Sequence, residues 1–180
     1  MKPSLIGPLA ALMLVPSLLI AQESPYAGLE GRKIKALSEQ QVKSYLAGEG
    51  MGYALAAELN GYPGPRHVLE LADSLALTET QRRRTKPVFE AMQAAAKRLG
   101  SEILTGEAEL DSLFAARTIT AESLQTALDR LGKLQGELRF VHLRAHLHMA
   151  EILTAEQVRR YSQLRGYQQE HDPSRHHPGN

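Results

Sequence analysis

In the segment VHLRAHLHMAEILTAEQ, His142 and His146 stand four residues apart, so on a helix their imidazoles share one face. Two such rings can clamp one metal ion, and the Met149 thioether lies close by as a third donor. Zinc, copper and nickel all accept donors of this kind. The set is incomplete, and further ligands would come from another helix, a second subunit, or the tail histidines His171, His176 and His177. The competing reading is structural: two partly exposed histidines beside a packed Met149, with His148 turned towards a helix seam.

Other reactive patterns are missing. The chain has no HExxH, no GxSxG, no P-loop and no cysteine nucleophile. GEGMG spaces its glycines wrongly for a dinucleotide loop and follows no strand, so it reads as a loop. Glu107, Glu109 and Asp111 alternate along a helical run, which spreads their carboxylates instead of converging them, and His67 reads as a turn or surface residue after Pro65. No residue set converges on a reaction, and enzymatic activity is not expected.

A second kind of chemistry is adhesive. Ala127, Leu131, Leu134, Leu138, Val141, Ala145, His148 and Ile152 recur at steps of three and four, a seam for one partner helix. Phe140, Leu143 and Leu147 fall roughly opposite that seam, on the side that also carries Gly132, Gly136 and Ala150. One intramolecular neighbour cannot cover both faces. The second stripe is therefore covered by N-terminal helices, buried in a dimer, or left open to unfolded partners. Arg82, Arg83, Arg84 and Lys86 add a basic run, read either as a solvated face paired with acids or as a salt-sensitive attractor for acidic or partly unfolded chains.

These residues need helices to hold them. Phe89, Met92, Ala96, Leu99, Ile103, Gly106, Leu110 and Leu113 form the matching stripe of an earlier long helix that starts after Thr78 and runs nearly to Arg117, with Pro87 expected to kink it. The two long helices are predicted to pack as an antiparallel hairpin. Three similar hexapeptides mark helix starts: ALSEQQ from Ala36, ALTETQ from Ala76 and ILTAEQ from Ile152. In each, Ser or Thr followed three residues later by Gln is a capping box. Short helices are predicted from Ser38 to about Ala47, near Tyr53 to Leu59, and from His67 to Leu75, after an extended arm over 22–37. No sustained alternation marks a strand, so the fold class is all-α.

Composition sets the boundaries. Lys2, the broken apolar run Leu5 to Ile20 and the small Ala21 read as a signal peptide over 1–21. An N-terminal arm and short helices occupy 22–66, the helical-hairpin domain 67–167, and a polar tail 168–180 that is expected to be disordered. There is no cysteine, so an exported protein would depend on burial for stability. Setting Lys2 aside leaves 20 basic against 20 acidic residues, which argues against nucleic-acid binding, and no second apolar run is long enough for stable membrane insertion.

An exported, cysteine-free, all-helical chain with ALTETQ and ILTAEQ flanking a long hairpin resembles the LTxxQ group of periplasmic proteins, the Spy and CpxP-like chaperones and their heavy-metal-resistance sensor relatives. The resemblance covers about Val68 to Tyr167. It implies a periplasmic homodimer shaped as a curved cradle that holds unfolded or aggregation-prone clients without ATP. It also implies that Leu77, Thr78, Gln81, Leu153, Thr154 and Gln157 form structural junctions of the cradle. Metal-sensing relatives place histidine ligands on their helices, and His142 and His146 sit in a compatible helix.

Overall fold

The computed structural model describes residues 24–167. The expected signal peptide and polar tail, with His171, His176 and His177, lie outside the described residues. Residues 24–31 form a small unit of their own, a run of turns ending in a 3-10 turn at Leu29–Gly31. From Arg32 the chain is a second compact unit built from six helices. These are α1 (Glu39–Ala47), α2 (Leu55–Glu58), α3 (Pro65–Glu70), α4 (Glu79–Ala115), α5 (Ala121–Ile152) and α6 (Ala155–Leu164). All regular structure among the described residues is helical, and no described helix is long and apolar enough to cross a membrane.

The capping boxes set the helix starts. Ser38, Thr78 and Thr154 each accept from the backbone N–H of Gln41, Gln81 and Gln157, whose side chains accept in return from the cap's own N–H. Thr120 opens α5 the same way with Ser123 in place of Gln. Gly48 stops α1 in the left-handed region at φ 65°, where a glycine costs least, and its N–H reaches back to the Tyr45 carbonyl at 3.1 Å. Pro87 lies inside α4, whose helical assignment continues unbroken across it.

α4 and α5 pack along each other as the hairpin, and α1 and α3 lean on α4 while α2 and α3 also reach α5. Ala96, Leu99 and Ile103 bury against Leu131, Leu134 and Leu138, with Tyr45 of α1 closing that core. Two glycines of α4 permit close approaches: Gly106 faces the Leu131 side chain and Gly100 faces the backbone of Tyr45. The expected extended arm is instead a set of bends over 32–37, in which Ile34 is buried and Lys35 pairs with Asp111 at 2.9 Å.

At the open end of the hairpin the two LTxxQ copies meet. Leu77 and Leu153 are buried in a second core with Val68, Ala72, Leu75, Met149, Ile152 and Tyr161. Above them Gln81 and Gln157 exchange amide hydrogen bonds at 2.8 and 3.0 Å although they lie 76 residues apart. Each glutamine also donates to the loop of the other copy, Gln81 to the Ile152 carbonyl at 3.0 Å and Gln157 to the Leu75 carbonyl at 3.2 Å. One residue type thus closes its own helix and fastens the opposite one. Gln81→Ala or Gln157→Ala is expected to cost about 2–3 kcal/mol, since each loses a cap and strands part-buried carbonyls. Urea unfolding of the two single variants and the double variant should give a coupling of about 1 kcal/mol or more. Strict additivity would show that the amide pair contributes nothing.

Candidate functional site

Two features stand out as candidate sites: a cavity at the corner between α2 and α3 that carries two histidines, and an apolar stripe on the outer face of α5.

The cavity, about 310 Å³, is bounded by the glycine-bearing loop 48–52, by α4 at Phe89, Met92 and Gln93, and by α5 at His142 and His146. YPGP, the stiff turn from Tyr62 to Pro65, brings Gly64 against His146: a methyl on Gly64 would sit 3.0 Å from the ring's Cε1 and 3.2 Å from its Nε2. The same turn fixes the tautomer of His146. Its Nδ1 lies 2.6 Å from the Tyr62 carbonyl, which can only accept, so in the neutral ring the proton sits on Nδ1 and the lone pair on Nε2.

Beside this ring the buried Glu58 carboxylate gathers donors. Its Oε1 accepts from Tyr161 at 2.5 Å and from Tyr167 at 2.9 Å, with Arg165 Nε at 3.7 Å; its Oε2 lies 3.6 Å from His146 Nδ1. Burial and the bond to Glu58 both raise the Tyr161 pKa, so the phenol stays protonated as a donor. His67, in the first turn of α3, sits 3.7 Å from Glu58 Oε1, and burial followed by the Arg165 charge lowers its pKa. The network ties α2, α3, α5 and α6 together through one acid.

His142 differs from its neighbour. It is 2% exposed, stacks on Tyr53 with centroids 6.2 Å apart, and its Nε2 has no hydrogen-bond partner. Burial, and after it the charge that His146 carries whenever it is protonated, pushes its pKa down to about 4, so the ring is neutral at ordinary pH.

The structure therefore brings His142 and His146 to one cavity but leaves Met149 out of it. Met149 is fully buried in the second core, among Val68, Leu75 and Ile152. Among the described residues no three His, Asp or Glu side chains group so as to hold a metal ion. The expectation of partly exposed histidines does not hold, and neither does the seam position of His148, which is exposed. The reason is that α5 serves two neighbours at this level. The α2–α3 corner covers the flank bearing residues 142, 146 and 149, so the buried arc rotates away from the single-partner seam.

The outer stripe of α5 is open. Phe140 is 57% exposed and Leu147 53%, and Leu143 between them is half-buried. Nothing lies within 4 Å of where a Cβ would stand on Gly132 or Gly136, so the N-terminal helices do not cover this face. Arg144 places its guanidinium 5.2 Å from the Phe140 ring centroid, adding a cation to an apolar surface. The basic run of α4 is mostly paired: Arg82 with Asp73 at 2.6 Å, Arg83 with Glu79 at 3.6 Å and Lys86 with Glu90 at 3.8 Å. Arg84 is exposed and has no acidic partner among the described residues. Exposed pairs of this kind are worth at most about 1 kcal/mol each and leave the local charge near balance.

Fold and surface together define an all-helical hairpin protein with a half-open cavity that carries two histidines and an uncovered apolar helix face. The chain matches no family model, no curated protein and no solved structure.

Sequence reasoning missed Glu58, Tyr161, Arg165 and Tyr167. Glu58 carried a signal, as a lone acid within the otherwise small and apolar ALAAELN. The tyrosines and Arg165 carried none, because only the return of α6 onto α2 and α3 gives them a partner.

Proposed function

We propose that the protein is an ATP-independent periplasmic chaperone that holds unfolded or aggregation-prone chains on the outer face of α5. The observation that carries this reading is the exposure of Phe140 and Leu147, with half-buried Leu143 between them, on a helix whose opposite side is already packed. Monomeric surfaces seldom leave contiguous large apolar side chains open without a partner.

The energetics suit transient holding. Fully burying a Phe or Leu side chain is worth about 1.5–3 kcal/mol, and these residues are already half covered, so the gross gain from the stripe is a few kcal/mol. Ordering an unfolded client offsets much of that gain. The net affinity is weak, and a weakly held client leaves without a nucleotide cycle. Arg144 adds attraction for acidic segments that salt screens.

The test is light scattering of a chemically denatured client diluted into buffer with increasing amounts of the protein. Suppression is expected at stoichiometric excess, and it should weaken as salt is raised from 0.05 to about 0.5 M. Absence of suppression at any ratio rejects the reading. The competing occupant of the stripe is a second copy of the chain. A dimer in solution that dissociates when Leu147 is made polar would mark the stripe as its own interface instead of a client surface.

A further inference from the structure

We propose that the cavity at the α2–α3 corner is a cuprous copper site, in which His142 Nε2, His146 Nε2 and the Met92 thioether hold the ion. Three independent features point to it. His142 Nε2 is a buried nitrogen with no partner, and a native interior rarely leaves such an atom unused. The lone pair of His146 Nε2 is fixed by the Nδ1 bond to the Tyr62 carbonyl, the arrangement that orients metal-binding histidines. The third donor follows from helix register. Leu99 and Ile103 of α4 pack in one core with Leu134 and Leu131 of α5; continuing that antiparallel register sets Met92 level with His142, and both line the cavity.

The donors select the metal. Neutral imidazole and thioether are soft or borderline ligands that favour Cu(I) over harder cations. Both acids bordering the cavity are engaged, Glu58 by the two tyrosines and Glu49 by the Ser44 hydroxyl at 2.6 Å. Arg66 and Arg165 line the same space, paired with Glu70 at 3.9 Å and Glu58 at 3.7 Å, so an entering ion meets no carboxylate free of a partner. A soft monovalent ion, held by neutral donors alone, suits such a site better than a divalent one. Met51 at the cavity mouth offers a second thioether for an entering ion. This ligand set replaces Met149, which lies in the core, with Met92, which lines the same cavity from the opposite helix.

The experiment is anaerobic competition between the full chain and a chromophoric Cu(I) chelator, with the first coordination shell read by X-ray absorption. One equivalent of Cu(I) should leave the chelator, and the shell should contain two nitrogens and one sulfur. Met92→Leu keeps the packing volume, so it should retain the fold while lowering Cu(I) affinity at least about tenfold. Gly64→Ala should lower it too, because the new methyl crowds His146. Replacing His171, His176 and His177 by alanine together should leave the affinity unchanged. No transfer of Cu(I) to the unaltered chain overturns the site, as does a shell without sulfur. Tighter retention of Zn(II) than of Cu(I) overturns the choice of metal.

Discussion

Lowering the pH from 7 to 4 is expected to destabilise the metal-free protein by about 3 kcal/mol more than it destabilises a His142→Phe variant. The folded state holds the His142 pKa down at about 4, against 6.5 for an unburied imidazole. Between those values the unfolded chain binds a proton that the folded chain refuses. Stability is therefore fully present above about pH 6.5 and falls as pH drops towards 4, with a slope approaching 1.4 kcal/mol per pH unit. The ring is 2% exposed, so solvent screening takes little from this figure. His67 adds a smaller effect of the same sign, because its pKa is also lowered by burial and Arg165. His146 faces His142 along α5, Glu58 and Arg165 border the same cavity, and all of them remain in the variant. Phenylalanine keeps the stack on Tyr53 and removes the titration. Urea unfolding of both proteins at several pH values in the presence of a chelator measures the difference, and parallel pH profiles would reject the assignment.

Gly100→Ala is expected to cost about 2–4 kcal/mol. A methyl at this position would overlap the Tyr45 carbonyl oxygen and stand 2.9 Å from the carbonyl carbon and 3.2 Å from Cα. The obstacle is backbone, not a flexible side-chain tip, so either α1 lifts from α4 or α4 bends. Helix propensity alone predicts the opposite sign, a gain of about 1 kcal/mol for alanine over glycine. Gly132→Ala provides the contrast, because nothing stands within 4 Å of its added methyl, and a gain of up to about 1 kcal/mol is expected there. Thermal unfolding of the two variants separates packing from propensity. If Gly100→Ala were neutral or stabilising, α1 would not be seated on α4 as described.

Much of the architecture was legible because it is written in local chemistry. Ser38, Thr78 and Thr154 with their glutamines carry enough information to start three helices, and each starts where the pattern places it. The three-four spacing from Ala96 to Gly106 and from Leu131 to Leu138 identifies the hairpin seam for the same reason, since one helix faces one partner. The pattern misleads where a helix has two partners. Near His148 the single-partner spacing points to one face, while the α2–α3 corner claims another, and His142, His146 and Met149 are the residues buried. Contacts distant in sequence were invisible, such as Gln81 with Gln157 and Glu58 with Tyr161, 103 residues apart. Such pairs have no periodicity, only complementarity that folding reveals. For Phe140, Leu143 and Leu147 the spacing showed only that the hairpin mate could not cover them; that the N-terminal helices leave Phe140 and Leu147 open depends on where those helices dock, which the sequence did not reveal.

The measurement closest to the central claim compares wild type with a Phe140→Ser, Leu147→Ser variant in suppressing aggregation of a denatured client. Both side chains are more than half exposed, so the variant should keep its helical content and melting temperature. Loss of most of the suppression, with the fold intact, is the predicted result. Equal suppression by the folded variant would show that clients, if held at all, are held somewhere other than the outer face of α5.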